Sequence, residues 1–93
     1  MIILALDLGT NTGWKIGDPE LSVSGTQNFG NTRFEGGGVR YVKFVKFLDQ
    51  IASEKMRPDL VVFEEVRRHL GVDAAHTYGG FWSHLMAWCE KQR

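Results

Sequence analysis

The N-terminal stretch that decides the fold reads Ile2-Ile3-Leu4-Ala5-Leu6-Asp7-Leu8-Gly9-Thr10-Asn11-Thr12-Gly13. Its apolar run is rich in branched side chains, which is typical of a strand buried on both faces, so we expect this strand in the centre of a sheet. Asp7 lies at the end of the run and is followed by a small, flexible Gly/Thr turn. A carboxylate in this place does little for stability, but it is well placed to bind a metal ion or a phosphate group.

The rest of the chain predicts the element order β-β-β-α-β-α. Alternating segments at 13–17 and 21–29 predict two further strands, of which the first forms a hairpin with the N-terminal strand and the second lies at an edge. Apolar residues spaced three and four apart predict an amphipathic helix from Val39 to about Met56. A second apolar strand, 60–63, is predicted to be buried like the first and ends at Glu64-Glu65. A second helix begins with Asp73 as its N-cap. We expect one domain that spans residues 1–93.

Composition and charge exclude several classes of protein. Hydrophobic residues make up 43% of the 93 residues and charged residues 24%, which argues against disorder. Eleven Lys and Arg balance eleven Asp and Glu, so binding of a polyanion must come from local clustering. The single cysteine, Cys89, excludes an intrachain disulfide and a multi-cysteine zinc site, and its apolar helical surroundings favour an inert thiol. The apolar N-terminus is too short to span a membrane and lacks the basic region of a signal peptide, so we expect a cytoplasmic protein.

Asp7 and Glu64 are predicted to lie side by side. Because the helix between them supplies a crossover, strand 60–63 should pair in parallel with the first strand. Both carboxylates then emerge at the carboxyl ends of neighbouring strands, roughly 5 Å apart, at the edge where ligands bind in open α/β sheets. Two such oxygen donors, without paired His or Cys, favour Mg²⁺, with Mn²⁺ as a substitute, and indicate phosphoryl transfer. The alternative is that Asp7 only shapes a turn and that Glu64 is an exposed strand end.

Basic and polar side chains flank these two acids. Arg67, Arg68 and His69 directly follow strand 60–63, and we predict that they contact phosphates on either side of a scissile bond. A solvated basic loop is the alternative. Thr10, Asn11 and Thr12 offer hydroxyl and amide donors near the same edge, where they either contact the nucleic-acid backbone or only shape the turn.

Three motifs resemble those of a known family. They are Leu4-Ala5-Leu6-Asp7-Leu8-Gly9-Thr10-Asn11-Thr12-Gly13-Trp14, Val62-Phe63-Glu64-Glu65-Val66 and Asp73-Ala74-Ala75-His76-Thr77-Tyr78-Gly79-Gly80. In their order and separation they resemble the RuvC-type Holliday junction resolvases of bacteria and phages, which belong to the ribonuclease H-like superfamily. The resemblance runs over nearly the whole chain.

The resemblance implies a mixed α/β, ribonuclease H-like fold and a homodimeric, Mg²⁺-dependent endonuclease that nicks branched DNA in the cytoplasm of a bacterial or phage-infected cell. Asp7 and Glu64 would be its catalytic metal ligands, with Glu64 assigned by matching Glu64-Glu65-Val66 to the family's Glu-x-Val. Members of the family continue through further strands and a final helix that supplies additional acids. The resemblance therefore also implies that residues 1–93 are an N-terminal portion of the family's domain, truncated on the C-terminal side.

Two other functions stay open. Asp7-Leu8-Gly9-Thr10 followed by Gly13 also resembles the phosphate-binding hairpin of the actin, hexokinase and Hsp70 group, which would make the chain an ATP-binding fragment. The other is a non-catalytic module that binds branched DNA or dimerises. Tyr41, Phe44 and Phe47 widen the apolar face of the first helix and predict a partner surface.

The second helix carries aromatic residues and two glycines in its interior. Tyr78, Phe81, Trp82 and Trp88 have helical spacing, which predicts core or interface positions. Gly79-Gly80 costs up to about 1 kcal/mol per glycine relative to alanine. Close packing against another helix or strand would compensate for that cost.

Overall fold

The computed structural model describes residues 1–66, 68–69 and 71–92. Its strands and helices follow the predicted order β-β-β-α-β-α. They are β1 (Ile3–Asp7), β2 (Asn11–Gly17), β3 (Ser22–Asn28), α1 (Val39–Gln50), β4 (Leu60–Phe63) and α2 (Val72–Lys91). A π-helical turn, Ile51–Lys55, continues α1 before the chain becomes extended at Met56.

The four strands form one mixed sheet in the order β3-β2-β1-β4. The pairs β1 with β2 and β2 with β3 are antiparallel, whereas β1 and β4 are parallel. The predicted hairpin, edge strand and parallel pair are therefore confirmed, and β1 lies inside the sheet. β2 begins at Asn11, two residues earlier than the alternation at 13–17 predicted.

The hydrophobic core lies between the two helices and one face of the sheet. Leu4 and Leu6 of β1 point into it, since alternate residues of a strand share a face. The Phe29 ring, which follows β3, has three aromatic neighbours with ring centroids at 5.5, 5.5 and 5.8 Å. Other fully buried members of this core are Ile16, Phe44, Leu48, Phe81 and Leu85. Both helices thus pack on the same side of β1.

The opposite face of the sheet remains accessible, so the prediction that β1 and β4 are buried on both faces is wrong. Leu60 and Val62 of β4 are 45% and 41% exposed. Ile3 and Ala5 of β1 are only partly buried. The physical reason is that both helices belong to a single core cluster on the side of Leu4, which leaves the other face uncovered by them.

The two helices make close contact where Tyr41 of α1 lies against Gly80 of α2. A side chain on Gly80 would overlap the Tyr41 ring, so the predicted close packing is confirmed at Gly80, whereas Gly79 has open space. Farther along, the indole Nε1 of Trp88 donates a hydrogen bond to Asp49 Oδ1 at 2.8 Å. Among the described residues, neither helix has the combination of length and hydropathy that a membrane span requires.

Two predictions about the helices are wrong. Tyr41, Phe44 and Phe47 do not form a partner surface: both phenylalanines are buried in the core, and the Tyr41 ring is packed against the aromatic rings of α2. The amphipathic face of α1 is wide because it meets α2 as well as the sheet. Asp73 is not the N-cap of α2, because the helix begins at Val72 with Gly71 in the N-cap position.

Candidate metal and nucleic-acid site

Asp7 and Glu64 extend from neighbouring parallel strands onto the same face of the sheet. Leu6 pairs with Phe63 in the β1–β4 register, so Asp7 and Glu64 are the next residues along the two strands. Leu6 is buried among the core residues, and its neighbour Asp7 therefore points to the open face. Both carboxylates are exposed. The predicted juxtaposition of these two acids follows directly from this register.

The two acids line one shallow cavity of about 400 Å³. Gly13 of β2 also lines it and lies directly opposite Asp7 in the β1–β2 pair. A methyl group on Gly13 would contact the Asp7 Cβ at 3.6 Å. Because glycine has no side chain, the carboxylate of Asp7 is not covered from the β2 side. The other lining residues are Ala5, Leu6, Trp14, Val62 and Phe63.

The donor set of this cavity suits a hard divalent cation but is small. Carboxylate oxygens are the preferred protein ligands of Mg²⁺, which commonly keeps several waters and uses one or two carboxylates together with substrate phosphates. Within the ranges 1–66, 68–69 and 71–92, no cluster of three or more His, Cys, Asp or Glu side chains has the geometry of a metal site. Asp7 and Glu64 are therefore a two-carboxylate pair.

The turn after Asp7 is held by hydrogen bonds of its own. The Thr12 hydroxyl, which is fully buried, donates to the Gly9 carbonyl at 2.7 Å. The side-chain oxygen of Asn11 accepts a hydrogen bond from Asn28 Nδ2 at 2.7 Å, which ties β2 to β3. The Thr12 bond thus closes the turn, and the Asn11 bond connects the start of β2 to the end of β3. The Thr10 side chain instead lines a second cavity.

This second cavity, of about 360 Å³, shares no lining residue with the first and brings together two of the predicted DNA-binding residues. Thr10 from the β1–β2 turn and His69 from the segment after β4 both line it, together with Thr77 of α2. Arg68 is exposed. Arg67 lies outside the described residues.

Two residues of this region were not identified from sequence as parts of a site. Tyr78 of α2 hydrogen-bonds to the backbone on both sides of Glu65 through its hydroxyl, although its spacing indicated only a core or interface aromatic. The signal available in the sequence was the hydroxyl itself, since a half-buried tyrosine usually hydrogen-bonds while a phenylalanine does not. Arg40 Nη1 donates to Thr77 Oγ1 at 3.3 Å, while its Nε is buried without a hydrogen-bond partner among the described residues.

No family model matches this sequence, and no curated protein sequence matches it. Among solved structures, the chain is similar to T. thermophilus RuvC in complex with a Holliday junction substrate. The similarity has a TM-score of 0.79 and 14% sequence identity, and it covers 98% of this chain. It covers 59% of the RuvC chain, so the present chain spans about three fifths of that length. The mixed four-stranded sheet with its two helices is a ribonuclease H-like fold, shared with RuvC.

Proposed function

We propose that this chain carries the metal-binding carboxylates of a RuvC-like endonuclease that hydrolyses phosphodiester bonds in branched DNA. The observation that carries the proposal is the position of Asp7 and Glu64 at the carboxyl ends of two parallel strands, in one open cavity. Ligands of open α/β sheets bind at this edge. The fold shared with a structure that holds a Holliday junction supports the choice of substrate.

Asp7 and Glu64 would together hold one Mg²⁺, or Mn²⁺ as a substitute. A bound divalent ion supplies Lewis-acid polarisation of a phosphodiester and a lowered pKa for attacking water. Two carboxylates leave the other coordination positions for water and for DNA phosphate oxygens, which is the manner in which proteins commonly bind Mg²⁺. The absence of a side chain at Gly13 keeps the Asp7 carboxylate accessible to such a phosphate.

The second cavity would receive the DNA backbone beside the scissile bond. Thr10 and His69 line it and offer a hydroxyl and an imidazole to phosphate oxygens. Arg67, Arg68 and Asn11 complete the proposed DNA-contacting set, and the two arginines follow Glu64 in the sequence. Two copies of the chain acting on a symmetric junction, in the cytoplasm of a bacterial or phage-infected cell, would produce paired nicks.

A non-catalytic module that binds branched DNA is the second candidate. It is favoured by the two-carboxylate donor set, since no third ligand joins Asp7 and Glu64 in the part of the chain that the structure describes. The two candidates make different demands on the acids. An endonuclease needs Asp7 for phosphodiester hydrolysis, whereas a binding module does not.

The test is incubation of the chain with an end-labelled four-way junction and with a linear duplex of the same sequence, in Mg²⁺ and in Mn²⁺. We expect symmetric nicks in the junction, none in the duplex, and loss of the nicks in Asp7→Asn and Glu64→Gln. Junction binding without nicking in either metal would transfer the assignment to the binding module. Nicking that persists in Asp7→Asn, or a chain that neither binds nor nicks the junction, would contradict the proposed function.

A further inference from the structure

Tyr78 forms hydrogen bonds to the segment that follows β4, just beyond the last backbone pairing between β4 and β1. The parallel ladder between β1 and β4 ends with the pair Leu6 and Phe63, so Glu64 lies just beyond the last paired residue. The Tyr78 hydroxyl donates a hydrogen bond to the Glu64 carbonyl at 3.0 Å. The same oxygen accepts a hydrogen bond from the Val66 amide at 3.2 Å.

In these two hydrogen bonds one hydroxyl group acts both as donor and as acceptor. A phenol oxygen is both a donor and an acceptor, so it bridges a carbonyl and an amide that lie two residues apart. Phenylalanine would fill the same volume but could make neither bond. The ring of Tyr78 also packs against His69, with ring centroids 5.3 Å apart.

The helix that carries Tyr78 is anchored to the same core as β1. Phe81 and Leu85, which follow on α2, are fully buried in the cluster that contains Leu4 and Leu6. The phenol is therefore held by the core side of the sheet, while the Glu64 carboxylate reaches the cavity on the other side. A rigid support of this kind determines where a ligand side chain can lie.

We infer that Tyr78 is a positioning residue that fixes Glu64 beside Asp7 for binding of a divalent cation. The inference rests on the proposed function, because it assigns to the Tyr78 hydroxyl the placement of one of the two proposed metal ligands. It adds a residue on α2 to a site whose ligands come from β1 and from the end of β4. The Tyr78 hydroxyl itself does not touch the metal or the DNA.

The test compares Tyr78→Phe with Tyr41→Phe and Asp7→Asn in Mn²⁺ titrations and in amide hydrogen exchange. Tyr41→Phe is the matched control, since it removes a hydroxyl from an aromatic residue packed on the same helix but away from β4. For Tyr78→Phe we expect faster exchange of the Val66 amide and about tenfold weaker Mn²⁺ binding, as is usual when the group orienting a metal ligand is lost. Tyr41→Phe should change neither quantity.

The outcomes separate this inference from the proposed function. If Asp7→Asn abolishes Mn²⁺ binding while Tyr78→Phe binds Mn²⁺ as tightly as the wild type, the positioning role is overturned and the metal site stands. If Tyr41→Phe weakens Mn²⁺ binding as much as Tyr78→Phe does, a general loss of stability explains the effect and the inference is also overturned. Mn²⁺ binding that Asp7→Asn leaves unchanged would remove the metal site, and the role of Tyr78 with it.

Discussion

Gly13 lies directly opposite Asp7 across the β1–β2 pair, and its missing side chain forms part of the cavity that both acids line. Residues paired in an antiparallel ladder share a face, so any side chain at position 13 would stand beside the Asp7 carboxylate. A methyl group fits there, at 3.6 Å from the Asp7 Cβ. The backbone of Gly13 does not have a positive φ, so other residues can adopt its conformation.

We therefore predict that Gly13→Ala and Gly13→Val separate folding from ligand binding. Alanine should raise the free energy of unfolding by about 0.5 kcal/mol, because glycine weakens a strand interior. Valine should also fold, since β-branched residues suit strands, but it should weaken Mn²⁺ binding by about tenfold by covering the carboxylate. Denaturant unfolding and Mn²⁺ titration measure the two effects. Unchanged Mn²⁺ affinity in Gly13→Val would show that the ion does not approach Asp7 from this side.

The adjacent glycines of α2 should respond in opposite directions to the same substitution. A Cβ atom added to Gly79 would have no described neighbour within 4 Å. Gly79→Ala should therefore stabilise the helix by about 0.5–1 kcal/mol. In Gly80→Ala the new methyl group would overlap the Tyr41 ring, which should destabilise the protein by about 1–3 kcal/mol. The two denaturation midpoints, measured side by side, check the helix contact. Equal midpoints would mean that Tyr41 does not lie against Gly80.

Arg68 should contribute to DNA affinity without selecting a sequence. Arg68→Ala should weaken junction binding and lower the magnitude of the slope of log K against log salt by about 1, as expected for the loss of one phosphate contact. Arg57→Ala is the matched control, because it removes the same charge from the opposite end of β4, where Arg57 Nη2 donates to the Gln92 carbonyl at 2.7 Å. Equal salt slopes for Arg68→Ala and the wild type would exclude the phosphate contact.

Cys89 should lower stability at alkaline pH. Desolvation, reinforced by the negative charge of Glu90, raises the pKa of its thiol above the ordinary range. In the unfolded state the thiol ionises at the ordinary pKa of cysteine, about 8.5. Above this pH the unfolded state loses its proton first, so the free energy of unfolding should fall as pH rises. Denaturant unfolding at pH 8 and pH 10 measures this, and Cys89→Ala should remove the cysteine's share of the decline. An identical decline in Cys89→Ala would contradict the assignment.

The strands and their pairing could be predicted from the sequence because the patterns that indicate them are local. Residues 60–63 are a short apolar run between Pro58-Asp59 and Glu64-Glu65, and the structure begins and ends β4 at Leu60 and Phe63. The parallel pairing follows from the intervening helix, and the position of Asp7 next to Glu64 follows from the pairing.

The parts that were mispredicted or missed depend on tertiary packing. A continuous apolar run does not show which of its faces another element covers, and this is why the exposure of Val62 was not expected. Tyr41 has the spacing of an additional apolar stripe, and only the position of α2 shows that this stripe is a helix contact. The hydrogen bonds of Tyr78 join residues 12 and 14 positions apart, beyond the reach of periodicity.

The central claim is that Asp7 and Glu64 bind one divalent ion together, and Mn²⁺ titration monitored by backbone amide NMR tests it most directly. We predict that the amide signals of Asp7, Gly13 and Glu64 broaden at the lowest Mn²⁺ concentrations, and that either Asp7→Asn or Glu64→Gln removes this broadening. Asp18 and Glu20, which follow the far end of β2, provide the internal control. Broadening that is as strong at Asp18 and Glu20 as at Asp7, or that persists in both variants, would contradict the claim.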